Sequence, residues 1–314
     1  MLPTQAARAL LIDIFSTIAY NSPVRKTRSL LIALCLLFAF AFVPAGALAQ
    51  PSEPGFEIHF LDVGQADAAI AICDGRVLMI DGGNAADSSL VYSYLKNTLG
   101  VSHIDYMVCT HPHEDHVGGL SGALNACTVG EIFSPVATYD SAAYCAFLKY
   151  LALQMKTVQV PQAGDTYPLG TAAFQFLTPL RQGDPIENDL SLVVRITYGN
   201  TSFLFMGDAE LRVEADLNAA QHEGMFELHA DLIKVGHHGG ETSTSFLLLQ
   251  RAQPEYAVIS VGEDNDYGHP SQYLLDRLNA AKVKTYRTDR DGHIICTSDG
   301  TSLSFVPEKT AHEE

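Results

Sequence analysis

The chain is poor in basic residues, with 19 Lys and Arg against 36 Asp and Glu in 314 residues. No run of the sequence combines clustered Lys and Arg with interleaved aromatic residues. Proteins that bind nucleic acid without sequence preference normally need such a cluster, because its charges neutralise phosphates. An acidic surface also repels polyanions. The composition therefore argues against a stable basic nucleic-acid groove, although a small phosphate ester held mainly by metal ions stays compatible with it.

The apolar run at residues 30–43 is too short to cross a membrane, because a spanning helix needs about 20 residues. It follows Arg25, Lys26 and Arg28 and precedes an Ala-x-Ala site that ends at Ala49. This order is typical of a signal peptide. We predict that residues 1–49 are a signal peptide cleaved after Ala49, and that residues 50–314 form a single domain. The expected location is secreted or extracytoplasmic, with membrane attachment only if the signal segment is not cleaved.

The sequence offers no metal site built on a cysteine pair, because none of the six cysteines has CxxC spacing. Five of them follow the predicted cleavage site, and an odd number leaves at least one thiol unpaired or intermolecular. Cys127 and Cys145 bracket a short segment and could form a disulfide. Cys109 lies in an apolar run, which favours an inert core residue.

Histidine, by contrast, is concentrated in one place. His111, His113 and His116 lie within six residues that also contain Asp115, directly after the apolar run 104–109. The run predicts a short buried strand, so the cluster begins where a strand opens into a loop. Burying this many titratable nitrogens without partners is costly, whereas the spacing suits metal ligation. The sequence therefore predicts a site for two metal ions.

Short apolar runs alternate with Gly and Asp turns and with amphipathic segments over the rest of the chain, which predicts a mixed α/β domain. Strands are predicted at 57–62, 68–73, 77–80, 104–109, 158–161, 172–177, 190–197, 201–206, 231–235 and 256–261, and near residues 285, 293 and 302. Helices are predicted at 88–99, 120–125, 141–155, 209–222, 243–251 and 272–281.

Further candidate ligands follow the ends of other predicted strands. Asp81 precedes Gly82-Gly83, Asp208 follows 203–207, and His237 and His238 follow 232–236. Each pattern is weak alone, because an Asp beside glycine is usually only a turn. Together, and in this order, they resemble successive motifs of the metallo-β-lactamase superfamily, whose H-x-H-x-D-H motif followed by Gly-Gly is matched by residues 111–119.

The amino-acid sequences of several segments are similar to one subgroup, the hydrolase domain at the C-terminus of ComEC/Rec2 competence proteins. The segments are 60–68 (FLDVGQADA), 79–83 (MIDGG), 188–193 (NDLSLV), 205–210 (FMGDAE), 234–239 (KVGHHG) and 267–271 (YGHPS). The resemblance covers about residues 56–306 and lacks the polytopic channel of those proteins. It implies an αββα sandwich, in which two mixed sheets are flanked by helices.

The resemblance also implies two divalent metal ions that share one carboxylate. The implied ligands are His111 and His113 for the first ion, Asp115, His116 and one of His237 or His238 for the second, and Asp208 between them. We favour His238 as the ligand and His237 as a substrate or proton-transfer group. Asp81 is expected to orient the cluster from behind.

One ligand of the superfamily is missing, because the chain has no histidine between His116 and His222. Asn188, Asp189 or water would have to fill that position on the first ion. A site richer in oxygen makes Mn²⁺ a rival to Zn²⁺.

The expected function is that of an exported metal-dependent hydrolase, nuclease-like or phosphodiesterase, acting through metal-activated water on a nucleotide, DNA or other small phosphodiester. Asp115, His237 and His269 are the catalytic candidates beside the metal ions. One alternative is a metallo-hydrolase of a lactam, lactone, thioester or cell-wall phosphoester, since fold alone does not separate these activities. Another is a non-catalytic metal-binding sensor module.

Overall fold

The computed structural model describes residues 55–180 and 187–309. The predicted signal peptide and its cleavage site therefore lie outside the described residues. Within them, no helix combines the length and the apolar character that crossing a membrane requires.

The first sheet contains seven strands: β1 (Phe56–Phe60), β2 (Ala68–Cys73), β3 (Arg76–Gly82), β4 (His103–Val108), β5 (Thr128–Phe133), β13 (Ile294–Ser298) and β14 (Leu303–Pro307). Their order is β14-β13-β1-β2-β3-β4-β5. The strands from β14 to β3 are antiparallel to their neighbours, whereas β3, β4 and β5 run parallel. The sheet is therefore mixed.

The second sheet also contains seven strands: β6 (Thr166–Leu169), β7 (Ala172–Phe176), β8 (Val194–Tyr198), β9 (Thr201–Phe205), β10 (Leu232–Lys234), β11 (Tyr256–Ile259) and β12 (Lys284–Arg287). Their order is β12-β11-β10-β9-β8-β7-β6. The strands β6 to β9 are antiparallel, and β9 to β12 are parallel. Each sheet thus has a parallel half whose strands end at one edge.

The described helices connect these strands: α1 (Ser88–Ser93), α2 (Glu114–Val117), α3 (Leu120–Ala126), α4 (Ala142–Leu153), α5 (Leu211–His222), α6 (Phe246–Ala252), α7 (Gln272–Ala280) and α8 (Thr288–Asp291). Helix α1 continues as one π-helical turn, Tyr94–Thr98. Short 3-10 turns occupy Ala85–Asp87, Asn188–Leu190 and Gly236–Gly239. Ser141, Ser245 and Ser271 cap α4, α6 and α7 by accepting a backbone N–H, as serine favours.

Three apolar layers hold the sheets and helices together. Aromatic and aliphatic side chains of both sheets meet in the central layer, where the rings of Phe60 and Phe205 stack 5.7 Å apart. One outer layer packs α3 and α4 on the first sheet, and the other packs α5, α6 and α7 on the second. This arrangement confirms the predicted αββα sandwich. It forms because most strands carry apolar residues on both faces, one towards each layer.

Several local predictions failed. The strand predicted at 158–161 is wrong, because this segment contributes only an isolated bridge between Gln159 and Phe133. The strands β5 and β6 were not predicted, since Gly130 and Pro168 interrupt their apolar patterns. The disulfide considered between Cys127 and Cys145 is absent: both are free thiols, and Cys127 is buried whereas Cys145 is exposed.

Candidate metal centre

The candidate metal centre lies at the carboxyl-terminal ends of the parallel strands of both sheets. Strand β3 ends at Asp81 and Gly82, β4 leads into His111, β9 into Asp208, and β10 into His238. The pair Gly118-Gly119 then lets helix α3 begin against the β3 end, because a Cβ on Gly119 would lie 1.8 Å from the Gly82 carbonyl oxygen. Four separate parts of the sequence therefore reach one edge of the sandwich.

Four side chains converge on one point, and we call them the second-metal set: Asp115, His116, Asp208 and His238. Their donor atoms all lie within 4.8 Å of one another. His116 Nε2 is 3.3 Å from Asp208 Oδ1, and His238 Nε2 is 3.1 Å from Asp115 Oδ2. Two imidazoles and two carboxylates are a suitable ligand set for Zn²⁺ or Mn²⁺. Of the neighbouring pair His237 and His238, the structure places His238 in this set.

Two buried atoms of this set lie 3.3 Å apart but form no hydrogen bond. Neither His116 Nε2 nor Asp208 Oδ1 makes a hydrogen bond with any described residue. Buried polar atoms are rarely left so, because desolvation without a partner is costly. A cation between them would satisfy both atoms, so the residues fit the divalent ion that the family implies.

His116 is held in the orientation that a ligand needs. Its Nδ1 donates to Asp81 Oδ2 at 2.9 Å, which leaves Nε2 to face Asp208. Asp81 also accepts hydrogen bonds from the backbone N–H and the hydroxyl of Thr110, both at 2.7 Å. The φ angle of Asp81 is +58°, in the left-handed region that residues other than glycine adopt uncommonly. Asp81 thus lies behind the cluster, in hydrogen-bond contact with His116.

A buried ion pair supports His238, and the sequence did not reveal it. His238 Nδ1 donates to the Ser260 carbonyl oxygen at 3.1 Å and lies 3.2 Å from Asp67 Oδ1. Asp67 Oδ2 in turn is 2.7 Å from Nζ of Lys234, and both side chains are buried. The contacts of Asp67 fix the His238 ring so that Nε2 points at the second-metal set.

The charges of this cluster shift the pKa values of its members strongly. Burial raises the pKa of Asp208, but His116 and His238 outweigh it and hold this pKa well below its usual range. Burial lowers the pKa of His238, yet Asp208 and Asp67 raise it to about 10. Protons on His116 and His238 thus balance the carboxylates when no cation does so. A bound divalent cation would supply that charge instead.

The predicted first-metal ligands are less well assembled. His111 is fully buried, with Nε2 3.0 Å from His113 Nδ1 and 3.7 Å from Asp208 Oδ2. Among the residues that the structure describes, however, His111, His113 and Asp208 do not form a set whose donor atoms all meet within 4.8 Å. The side chain of His113 is 33% exposed, and its Nε2 contacts the exposed Glu187 at 2.6 Å. Glu187 was not predicted, because 74 residues separate it from His113.

Asn188 and Asp189, the two residues that could replace the missing ligand, lie in different surroundings. Asn188 lines the pocket, with Nδ2 3.4 Å from His237 Nε2 and 3.3 Å from Glu210 Oε1. The structure does not bring Asp189 to this pocket: its carboxylate is buried 4.0 Å from Arg212, and it borders a separate cavity of about 690 Å³. The backbone of the 3-10 turn explains this, since neighbouring side chains point in different directions.

His237 and His269 lie at the pocket wall outside the second-metal set. Nδ1 of His237 is 3.1 Å from Glu210 Oε1, and its Nε2 is 3.9 Å from Asp208 Oδ2. The His269 ring packs edge-on against His237 at 5.5 Å. Burial, followed by the charges of His237 and His238, lowers the pKa of His269 to about 4. A ring that is neutral at pH 7 is better suited to hydrogen bonding than to protonating a leaving group.

The pocket above these side chains has a volume of about 610 Å³ and opens to solvent. It is lined by Gln65, Asn84, His113, Glu114, Asp115, Asn188, Asp208, His237, His238, Tyr267 and His269. A small ester could therefore reach Asp115 and Asp208 from outside. The fold and this pocket together define a candidate metallo-hydrolase centre.

Comparison with known proteins agrees with this geometry. Residues 61–263 match the family model of the metallo-beta-lactamase superfamily, and the chain belongs to that superfamily. Its relatives also confirm the resemblance to the ComEC/Rec2 competence proteins that the motifs indicated.

Two curated relatives and one solved structure illustrate the similarity. ComE operon protein 3 of Bacillus subtilis is 27% identical, over 76% of this chain and 32% of the relative. Competence protein ComA of Neisseria gonorrhoeae is 30% identical, over 74% and 30%. The chain thus spans about a third of the length of these relatives. Igni18, a metallo hydrolase of Ignicoccus hospitalis, is 17% identical over 81% of this chain and 100% of that chain, with a TM-score of 0.49.

Proposed function

We propose that this protein is an exported, metal-dependent phosphodiesterase of the nuclease-like type that holds two divalent ions. The observation that carries the proposal is the second-metal set, whose buried His116 Nε2 and Asp208 Oδ1 have no hydrogen-bond partner among the described residues and border an open pocket. The competence proteins among the relatives favour a phosphodiester as the substrate. Export is supported by the basic and apolar N-terminal segment and its Ala-x-Ala site.

The ligands would be distributed over two sites. Asp115, His116 and His238 would hold one ion, His111 and His113 the other, and Asp208 would reach both, because its two oxygens face different histidines. When bound, Zn²⁺ or Mn²⁺ supplies the Lewis acidity that lowers the pKa of water and polarises a phosphoryl oxygen. Asn188 lies close enough to His237 and Glu210 to complete the wall on the first-metal side.

Three side chains would act on the substrate directly. Asp115 is the most accessible carboxylate of the second-metal set, with 30% of its side chain exposed, and would orient the attacking water. His237 lines the pocket with its Nδ1 3.1 Å from Glu210 Oε1, and its Nε2 would pass a proton to the leaving oxygen. His269 would donate a hydrogen bond to the ester, with Gln65 3.4 Å from its Nδ1.

The test is metal analysis of the purified protein combined with hydrolysis of bis-p-nitrophenyl phosphate and single-stranded DNA. Activity should vanish after chelation and return with Mn²⁺ or Zn²⁺. His113→Ala should remove turnover, whereas His103→Ala, at an exposed histidine outside the pocket, should not. Bound ions without phosphodiester cleavage would refute the proposal, and a chromogenic lactam in the same panel would show whether another bond is hydrolysed. Absence of bound metal would favour a sensor module.

A further inference from the structure

The pocket has an unusual charge for one that would receive an anionic ester. Among the described residues that line it, none is Lys or Arg, whereas Glu114, Asp115 and Asp208 are acidic. Phosphate-binding proteins normally obtain affinity from cationic side chains. Bound metal ions would attract the phosphate here, so any affinity for the rest of the substrate has to come from uncharged contacts.

The strongest uncharged contact available is the ring of Tyr267. This side chain is 73% exposed although it borders the pocket. One side of the ring stacks on His269, with the ring centroids 5.7 Å apart and the planes 29° from parallel. Tyr267 belongs to none of the three apolar layers. A flat aromatic surface is therefore presented beside the metal centre.

The loop that carries this ring is held in place by Asn265. Its Oδ1 accepts the backbone N–H groups of Tyr267 at 3.2 Å and His269 at 3.0 Å. Its Nδ2 donates to the carbonyl oxygens of Gly262 and His269. One amide thus closes the loop with four hydrogen bonds, which hold the backbone that carries Tyr267 in place before a ligand binds. Preorganised contacts of this kind lose less entropy on binding.

We propose that Tyr267 is a stacking surface for a nucleobase, so that the substrate is a base-bearing phosphodiester, either a nucleotide or a single strand. This inference rests on the proposed function and specifies its substrate class. Stacking suits the acidic pocket because it needs no charge on the protein, and it tolerates any base because every base has a π-face. A duplex, whose bases are already stacked on one another, would gain nothing from Tyr267.

The test compares two single strands of equal length, one of oligothymidylate and one whose sites are all abasic. The full chain is studied with Mn²⁺ as wild type, Tyr267→Ala, Tyr267→Phe and Tyr273→Ala. Tyr273 is a matched control, because it is 67% exposed on α7 and does not line the pocket. Loss of one base stack should lower kcat/KM of Tyr267→Ala for oligothymidylate about tenfold, mainly through KM. The abasic strand should be unaffected, and Tyr267→Phe and Tyr273→Ala should behave as wild type.

Equal losses on both strands, or no loss on either, would overturn the stacking role. Binding measured by fluorescence anisotropy separates this inference from the proposed function. If Tyr267→Ala weakens oligothymidylate binding but wild type cleaves neither strand, the stacking surface stands and hydrolysis fails. If wild type cleaves oligothymidylate and Tyr267→Ala equals it in both binding and rate, hydrolysis stands and stacking fails. Absence of both binding and cleavage contradicts both.

Discussion

The two halves of the proposed metal centre are built differently. In the second-metal set, each histidine has a buried partner behind it: Asp81 behind His116, and Asp67 with Lys234 behind His238. On the first-metal side, His113 is partly exposed, and its partner Glu187 is on the surface. The donor atoms converge only where the outer contacts are buried. Burial of the supporting residues, more than the identity of the ligands, therefore determines which half is assembled without a cation.

The carboxylate shared by both halves should give the largest effect. Asp208→Asn replaces one carboxylate oxygen by an amide nitrogen and removes the negative charge that both ions would share, so metal-dependent turnover should be lost completely while the fold persists. Assays with Mn²⁺ and Zn²⁺, together with circular dichroism, would check this. Full activity of the metal-reconstituted variant would remove Asp208 from the centre.

The buried ion pair should have the largest effect on stability. Lys234→Met removes the lysine that pairs with the buried Asp67 carboxylate and leaves only His238 beside it, which should cost about 3 to 5 kcal/mol of unfolding free energy. Urea denaturation would measure it. The double variant Asp67→Asn with Lys234→Met should recover most of that stability, because no buried charge is left alone. Its metal affinity should stay low, and a recovered affinity would show that the pair does not orient His238.

Substitution of Asp81, which holds the His116 ring, should affect metal binding more than stability. Asp81→Asn keeps the shape of the side chain but removes the carboxylate that accepts from Nδ1, so metal affinity should fall by about 10 to 100-fold. Competition with a chromophoric chelator would measure this. An unchanged affinity would mean that Asp81 serves only the Thr110 turn.

Substitution of Glu187, the exposed contact of His113, should have the smallest effect on metal affinity. Glu187→Gln replaces a surface carboxylate by an amide that can still accept a hydrogen bond, so metal affinity should change by less than about fivefold. Comparing it with Asp81→Asn in the same competition assay sharpens the contrast between the two halves. A larger loss from Glu187→Gln than from Asp81→Asn would reverse it.

The sequence was informative where function depends on residues that are close together or beside a strand end. The spacing of His111, His113, Asp115 and His116 predicted a metal cluster, and the family resemblance placed Asp81 behind it. Local pattern could not show that Lys234 is buried, since its partner Asp67 is 167 positions away and only the fold pairs them. Nor could it show that Asp189 faces Arg212 and not the pocket, because side-chain direction in a short turn depends on tertiary packing.

The most direct test of the account is a calorimetric titration of the metal-free protein with Mn²⁺ or Zn²⁺. It compares wild type, His238→Ala and His113→Ala. The account predicts one tight and one weaker binding event in wild type. The tight event should be lost in His238→Ala, and only the weaker event should be lost in His113→Ala. Tight binding that survives in His238→Ala but disappears in His113→Ala would contradict the assignment of the two halves, and no binding in wild type would contradict the metal centre itself.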